Sequence, residues 1–176
     1  RRAAVAVEAA LNELSGNECQ AQVLNPLQDP DVPDLIKRLE SDYDDVVIEE
    51  PTLYMLAYHA TDAPLVADLL QEVTTTLLQD TMSELIAVHM PDAVVTTYPA
   101  FTQAALDAMD QVGHHAPLYV VVTDLVDVHS LWFNAKVDCT FVPTGKVYRQ
   151  ALDKGLDKMR VRLTGLPVHL LTTSAT

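Results

Sequence analysis

The densest chemistry in this sequence is Thr123-Asp124-Leu125-Val126-Asp127-Val128-His129, two carboxylates and an imidazole on one short stretch. It directly follows Leu118-Tyr119-Val120-Val121-Val122-Thr123, a run that reads as a strand covered on both faces. A buried strand ends its apolar run where the sheet meets solvent or a cleft, so these side chains are delivered to that margin. Asp124 or Asp127 can accept a proton from one imidazole nitrogen and leave the other to work on a hydroxyl. The same residues also have a structural reading, in which Asp124 caps a turn through backbone N–H groups and His129 packs. Trp132-Phe133 follows at once with the only tryptophan of the chain. That pair either lines a cleft or anchors the loop to the core.

Other reactive groups are less well placed. His114-His115 sits beside Gly113 with no companion at a zinc-like spacing, and His59 and His89 form no HExxH, so no metal is expected. The five glycines, at positions 16, 113, 145, 155 and 165, build neither GxGxxG nor GxxxxGK[ST], so no cofactor or phosphate cradle is expected. GxSxG is also absent. Cys139 lies in an apolar run and reads as buried and inert. With Cys19 it is one of only two cysteines, which points weakly to the cytosol.

Alternating strands and helices must position these residues. The chain opens inside a helix that stops at Ser15-Gly16-Asn17. A helix packed on a parallel sheet usually arrives from a strand, so a first strand is expected before Arg1 and is missing here. Cys19 to Leu24 reads as a strand, 34–40 as a short helix, and 41–45 as an acidic loop or helix end. Pro51 starts a further helix carrying Tyr54 and Tyr58. Asp62 then caps a long one with an apolar stripe at Val66, Leu70, Val73, Leu77, Thr81, Leu85 and Val88. Thr74-Thr75-Thr76 is expected to bend or fray it. Next come a buried strand at 93–96, a helix at 101–112, the strand at 118–123, and a strand at 139–142. A helix capped by Thr144 and closed at Gly155 leads to a last strand at 161–163. This succession implies an α/β, doubly wound, Rossmann-like parallel sheet. Ligands of such sheets bind beyond the carboxyl ends of the strands, here 96–101, 123–132, 143–146 and 164–167.

Apolar residues make up 49% of the 176 residues, ordinary for one globular core. The formal charge is −14, unevenly spread. Residues 1–135 hold 22 acidic and 4 basic side chains, whereas 136–176 hold 3 acidic and 7 basic. The acidic block disfavours a nucleic-acid partner and strong attraction to anionic lipid. No signal-peptide pattern and no run long enough to span a bilayer is present.

Val120-Val121-Val122-Thr123-Asp124-Leu125, then His129, Trp132-Phe133 and Phe141-Val142-Pro143-Thr144, carry a family resemblance. It continues through Gly155-Leu156 and Thr164-Gly165-Leu166-Pro167-Val168. The chain resembles the N-terminal domain of monogalactosyldiacylglycerol synthases and bacterial diacylglycerol glucosyltransferases. The resemblance implies one half of a two-domain GT-B glycosyltransferase: residues 1–168 an N-terminally truncated acceptor domain, residues 169–176 a polar tail or the start of a linker. It further implies a UDP-sugar donor held mainly by a C-terminal domain absent here, diacylglycerol or a similar lipid as acceptor, and peripheral membrane contact. The expected location is cytoplasmic, with membrane association of the full-length protein. Asp124 and His129 match the family's Thr-Asp…His segment at the interdomain cleft and are the expected catalytic pair. Tyr98, Pro99, Trp132 and Phe133 are the expected acceptor contacts. Tyr98-Pro99 stands where many relatives have His-Pro, and Ser130 where relatives often carry proline. The family's glycine-rich loop and its histidine would precede Arg1, so the fragment is expected to be inactive alone. The segment 52–88 is the candidate lipid-facing element. Two other readings stay open, a non-diacylglycerol acceptor and a non-catalytic α/β binding or regulatory domain. An exposed sheet edge left by the missing strand would favour self-association.

Overall fold

Four short runs rich in β-branched residues form one parallel sheet in the order β1-β2-β3-β4. They are β1 (Val94–Thr96), β2 (Leu118–Val121), β3 (Cys139–Val142) and β4 (Val161–Leu163). The computed structural model describes residues 1–16, 18–30, 32 and 64–168. Thr96 pairs with Val120, Val120 with Thr140, and Thr140 with Val161. Side chains alternate across a sheet, so this register makes its two faces unequal. Leu118, Val120, Val122, Thr140, Val142 and Val161 line one face and are buried. Each such aliphatic side chain contributes roughly 1.5–3 kcal/mol by leaving water. On the opposite face Tyr119, Cys139 and Phe141 are half-buried, with the two rings 6.2 Å apart. Val95 on that face is 40% exposed, which corrects the expectation of a fully buried strand at 93–96. The Val95 side chain stands on the face away from the shared core.

Three of the helices share their core with the buried face. α1 (Arg2–Ser15) ends at Gly16, whose φ of 59° breaks the helix where expected. α2 (Pro64–His89) runs along α3 (Phe101–Val112), and α4 (Gly145–Asp153) joins β3 to β4. Leu78, Met82 and Ile86 of α2, Ala104, Ala105, Ala108 and Met109 of α3, and Val147 and Ala151 of α4 share one core with the buried sheet row. Thr144 caps α4 by accepting from the Val147 N–H at 3.2 Å. At the other end the Gly155 N–H reaches the Leu152 carbonyl and the Leu156 N–H the Ala151 carbonyl, with Gly155 at φ 92°. That is a Schellman closure. α3 ends the same way, Gly113 N–H to Asp110 and His114 N–H to Met109.

Several expectations change. Cys19 to Leu24 joins no ladder, and the Val23 N–H goes to the Glu8 carboxylate at 3.2 Å. An isolated run of strand-forming residues becomes a strand only beside a partner, and none is present among the described residues. α2 is one unbroken helix through Thr74-Thr75-Thr76, and its buried face is turned from the expected stripe. Ala67, Thr74, Thr75, Leu78, Thr81, Met82 and Ile86 are buried, whereas Val66, Val73 and Val88 are exposed. Leu78, Met82 and Ile86 meet the alanines of α3 in the shared core, so the partner helix selects which face of α2 is buried. The expected helices at 34–40 and after Pro51, the acidic stretch 41–45, the Asp62 cap, and the tail after Val168 lie outside the described residues.

Candidate functional site

Parallel strands of one sheet release their following loops along one edge. Two of those loops carry the expected site residues, Tyr98 and Pro99 after β1 and Asp124, His129, Trp132 and Phe133 after β2. The loop after β2 is fixed by its own side chains. Asp124 is half-buried, and its Oδ2 accepts the indole N–H of Trp132 at 2.8 Å. Trp132 is 2% exposed and belongs to the core, so Asp124 is held from behind by a rigid donor. His129 is 8% exposed. Its Nδ1 accepts the Leu131 N–H at 3.2 Å and opens the 3-10 turn Ser130–Trp132. A neutral imidazole accepting at Nδ1 carries its proton at Nε2. Phe133 is half-buried against the same core. The tryptophan anchors the loop, and the turn is capped by His129 rather than by Asp124, whose Oδ2 takes the indole N–H instead. The same two bonds orient the carboxylate and the imidazole.

The loop is also tied to the neighbouring strand's loop. Thr144, just past β3, donates its hydroxyl to the Leu125 carbonyl at 2.9 Å. Lys146 Nζ lies 2.8 Å from Asp127 Oδ1, and Gln150 Nε2 reaches the same oxygen at 3.4 Å. Sequence reading left this junction out. Its signal was available: opposite charges at the tips of adjacent parallel strands, Asp127 after β2 and Lys146 after β3.

After β1, the Thr96 hydroxyl donates to the Tyr98 carbonyl at 2.9 Å and accepts the Tyr98 N–H at 3.2 Å. This tight turn sets Tyr98 against Phe101, ring centroids 4.9 Å apart. Tyr98, Phe101 and Thr97 line a partly open cavity of about 320 Å³ together with Arg1, Val5 and Glu8 at the start of α1 and with Val23, Leu24, Asn25, Leu27 and Gln28. Pro99 is half-buried in the turn itself. Tyr98 thus lines a cavity, whereas Trp132 and Phe133 pack behind the next loop.

The remaining candidates stand apart from this edge. His114 Nε2 contacts the Pro91 carbonyl at 2.8 Å, and His115 lies 3.7 Å from Asp110 at the surface. No group of three metal-ligating side chains is gathered among the described residues. Cys139 is half-buried, and burial pushes its thiol pKa up, with Arg162 opposing. Among the described residues no helix is long and apolar enough to cross a membrane.

Comparison with known proteins covers this whole arrangement. The chain is 25% identical over 171 residues to monogalactosyldiacylglycerol synthase 1, chloroplastic, of Arabidopsis thaliana, covering 96% of the chain and 32% of that protein. A probable monogalactosyldiacylglycerol synthase, chloroplastic, of Nicotiana tabacum matches to the same extent. A processive diacylglycerol beta-glucosyltransferase of Bacillus mycoides (strain KBAB4) is 33% identical over 88 residues, 50% of the chain and 22% of the relative. The chain thus spans about a third of the length of its plant relatives. The sequence profile of the monogalactosyldiacylglycerol (MGDG) synthase family matches residues 1–168, a span that includes every strand of the sheet and each loop at its carboxyl edge, and the chain belongs to that family.

Proposed function

We propose that this chain is the acceptor-binding part of a GT-B glycosyltransferase, residues 1–168 forming that domain. The enzyme moves a galactosyl or glucosyl group from a UDP-sugar to the hydroxyl of diacylglycerol at a membrane surface. The observation that carries this reading is the family match over residues 1–168, with Asp124 and His129 fixed in one loop beyond β2. In the reaction the acceptor oxygen bonds to the anomeric carbon while the bond to the diphosphate breaks and the hydroxyl proton leaves. Asp124 holds Trp132 through Oδ2, and its Oδ1 is the proton acceptor. His129, protonated at Nε2, donates to the acceptor oxygen and orients its lone pair. Tyr98 and Pro99 border the acceptor's path, and Trp132 and Phe133 support it from beneath the loop. The UDP-sugar donor is held mainly by a second domain of the enzyme.

Incubating the intact glycosyltransferase with diacylglycerol and either UDP-galactose or UDP-glucose, followed by mass spectrometry of the lipid, tests the proposal. The expected product is monoglycosyldiacylglycerol from one of the two donors. Absence of any glycolipid with both donors would overturn it.

A further inference from the structure

Two adjacent apolar side chains stand in water at the tip of the loop after β2, Leu125 at 48% and Val126 at 55% exposure. Single exposed aliphatics are ordinary and need no explanation. This pair differs in how its surroundings are arranged. Thr144 Oγ1 holds the Leu125 carbonyl at 2.9 Å, which fixes the backbone beneath both side chains. The carboxylates on either side are both engaged, Asp124 by the Trp132 indole at 2.8 Å and Asp127 by Lys146 at 2.8 Å. Bare carboxylates beside an apolar pair would resist hydrocarbon, because the incoming chain would strip their water. Engaged ones resist it less. A tethered backbone also has little freedom left to lose on binding.

We infer that Leu125 and Val126 seat the first methylenes of the acceptor's acyl chains and so set selectivity for amphiphilic over short-chain acceptors. The inference rests on the lipid-acceptor reading above. Leu125 and Val126 adjoin Asp124 in the same loop and are exposed, so the hydrocarbon of an acceptor held at Asp124 has this apolar pair within reach. A polar substitution there takes away contact that only the longer acceptor makes.

The test compares kcat/KM for dioctanoylglycerol and diacetylglycerol in the intact glycosyltransferase carrying Leu125→Gln and Val126→Gln. Their ratio cancels the active fraction, so partial misfolding does not mimic the effect. The ratio of long-chain to short-chain kcat/KM falls on the order of tenfold, as expected for burial of an aliphatic side chain. Lys146→Gln, which uncovers Asp127, lowers the same ratio by a smaller factor. An unchanged ratio with a lower kcat on both acceptors would assign the pair to a protein contact and overturn the inference. A wild-type enzyme that glycosylates no diacylglycerol at all overturns the acceptor assignment and this inference with it.

Discussion

At the residue scale, one bond separates position from chemistry at each candidate catalytic side chain. His129 accepts a backbone N–H at Nδ1, while the proposed role uses Nε2. Asparagine keeps an acceptor near Nδ1 and removes the distal N–H. His129→Asn is therefore expected to lower kcat by about 10²-fold, the size of losing one donor to a reacting oxygen, while the unfolding midpoint changes little. His129→Ala loses both functions and additionally costs about 1 kcal/mol for the part-buried Leu131 N–H left without its partner. Steady-state rates beside thermal melts separate the two variants, and equal rates for His129→Asn and wild type would remove Nε2 from the reaction. Asp124 divides in the same way. Asp124→Asn keeps an oxygen for the Trp132 indole but takes no proton, so turnover falls about 10²–10⁴-fold with stability nearly preserved. Trp132→Phe instead leaves the carboxylate without its donor and costs roughly 1.5–3 kcal/mol, the usual worth of a hydrogen bond to a charged group. Denaturant titration of both variants checks this, and a Trp132→Phe as stable as wild type would show that the 2.8 Å bond holds nothing in place.

At the scale of elements, α4 opens on one glycine and is closed by another, with opposite expectations. Gly155 has φ 92° and an added Cβ meets nothing within 4 Å, so Gly155→Ala costs only its backbone strain, about 1–2 kcal/mol. Gly145 opens the helix with an ordinary φ and equal space, so Gly145→Ala stabilises by about 0.4–1 kcal/mol through the unfolded chain. Opposite shifts of the melting midpoint are the expected result; shifts of one sign would show that packing, not backbone conformation, governs both ends. This helix was legible in the sequence because Thr144, the i,i+4 pair Val147 and Ala151, and Gly155 are local signals of start, face and stop. The strands at 94–96, 118–121, 139–142 and 161–163 were legible for a like reason, since dense β-branched residues punctuated by turns admit few alternatives. What the sequence did not reveal was decided by partners far along the chain. The buried face of α2 follows the alanines of α3, near 104–108, and periodicity within α2 alone points to a neighbouring stripe. Cys19 to Leu24 has strand-like residues but no described neighbour to complete a ladder. At the site, Asp124, His129 and Trp132 could be picked out, yet which atoms they spend on one another depends on the loop's three-dimensional path.

At the scale of the molecule, charge and apolar surface oppose each other. Val66, Leu69 and Val73 leave an exposed apolar stripe on the first turns of α2, on the element nominated to face lipid. No lysine or arginine lies between residues 39 and 135, and residues 136–176 carry seven against three carboxylates. A helix lying on an anionic bilayer usually surrounds its apolar face with basic side chains, and α2 has only acidic ones. Its contact with a membrane is expected to be driven by apolar burial and weakened by surface charge. The 176-residue chain should then be retained more strongly on zwitterionic than on anionic vesicles at low salt. The difference should shrink as ionic strength approaches about 1 M, where the screening length falls to about 3 Å. Co-sedimentation across a salt series checks both the order and the trend. Stronger retention on anionic vesicles, lost with added salt, would instead show the basic residues after Lys136 acting as a patch of their own, despite the net charge of −14.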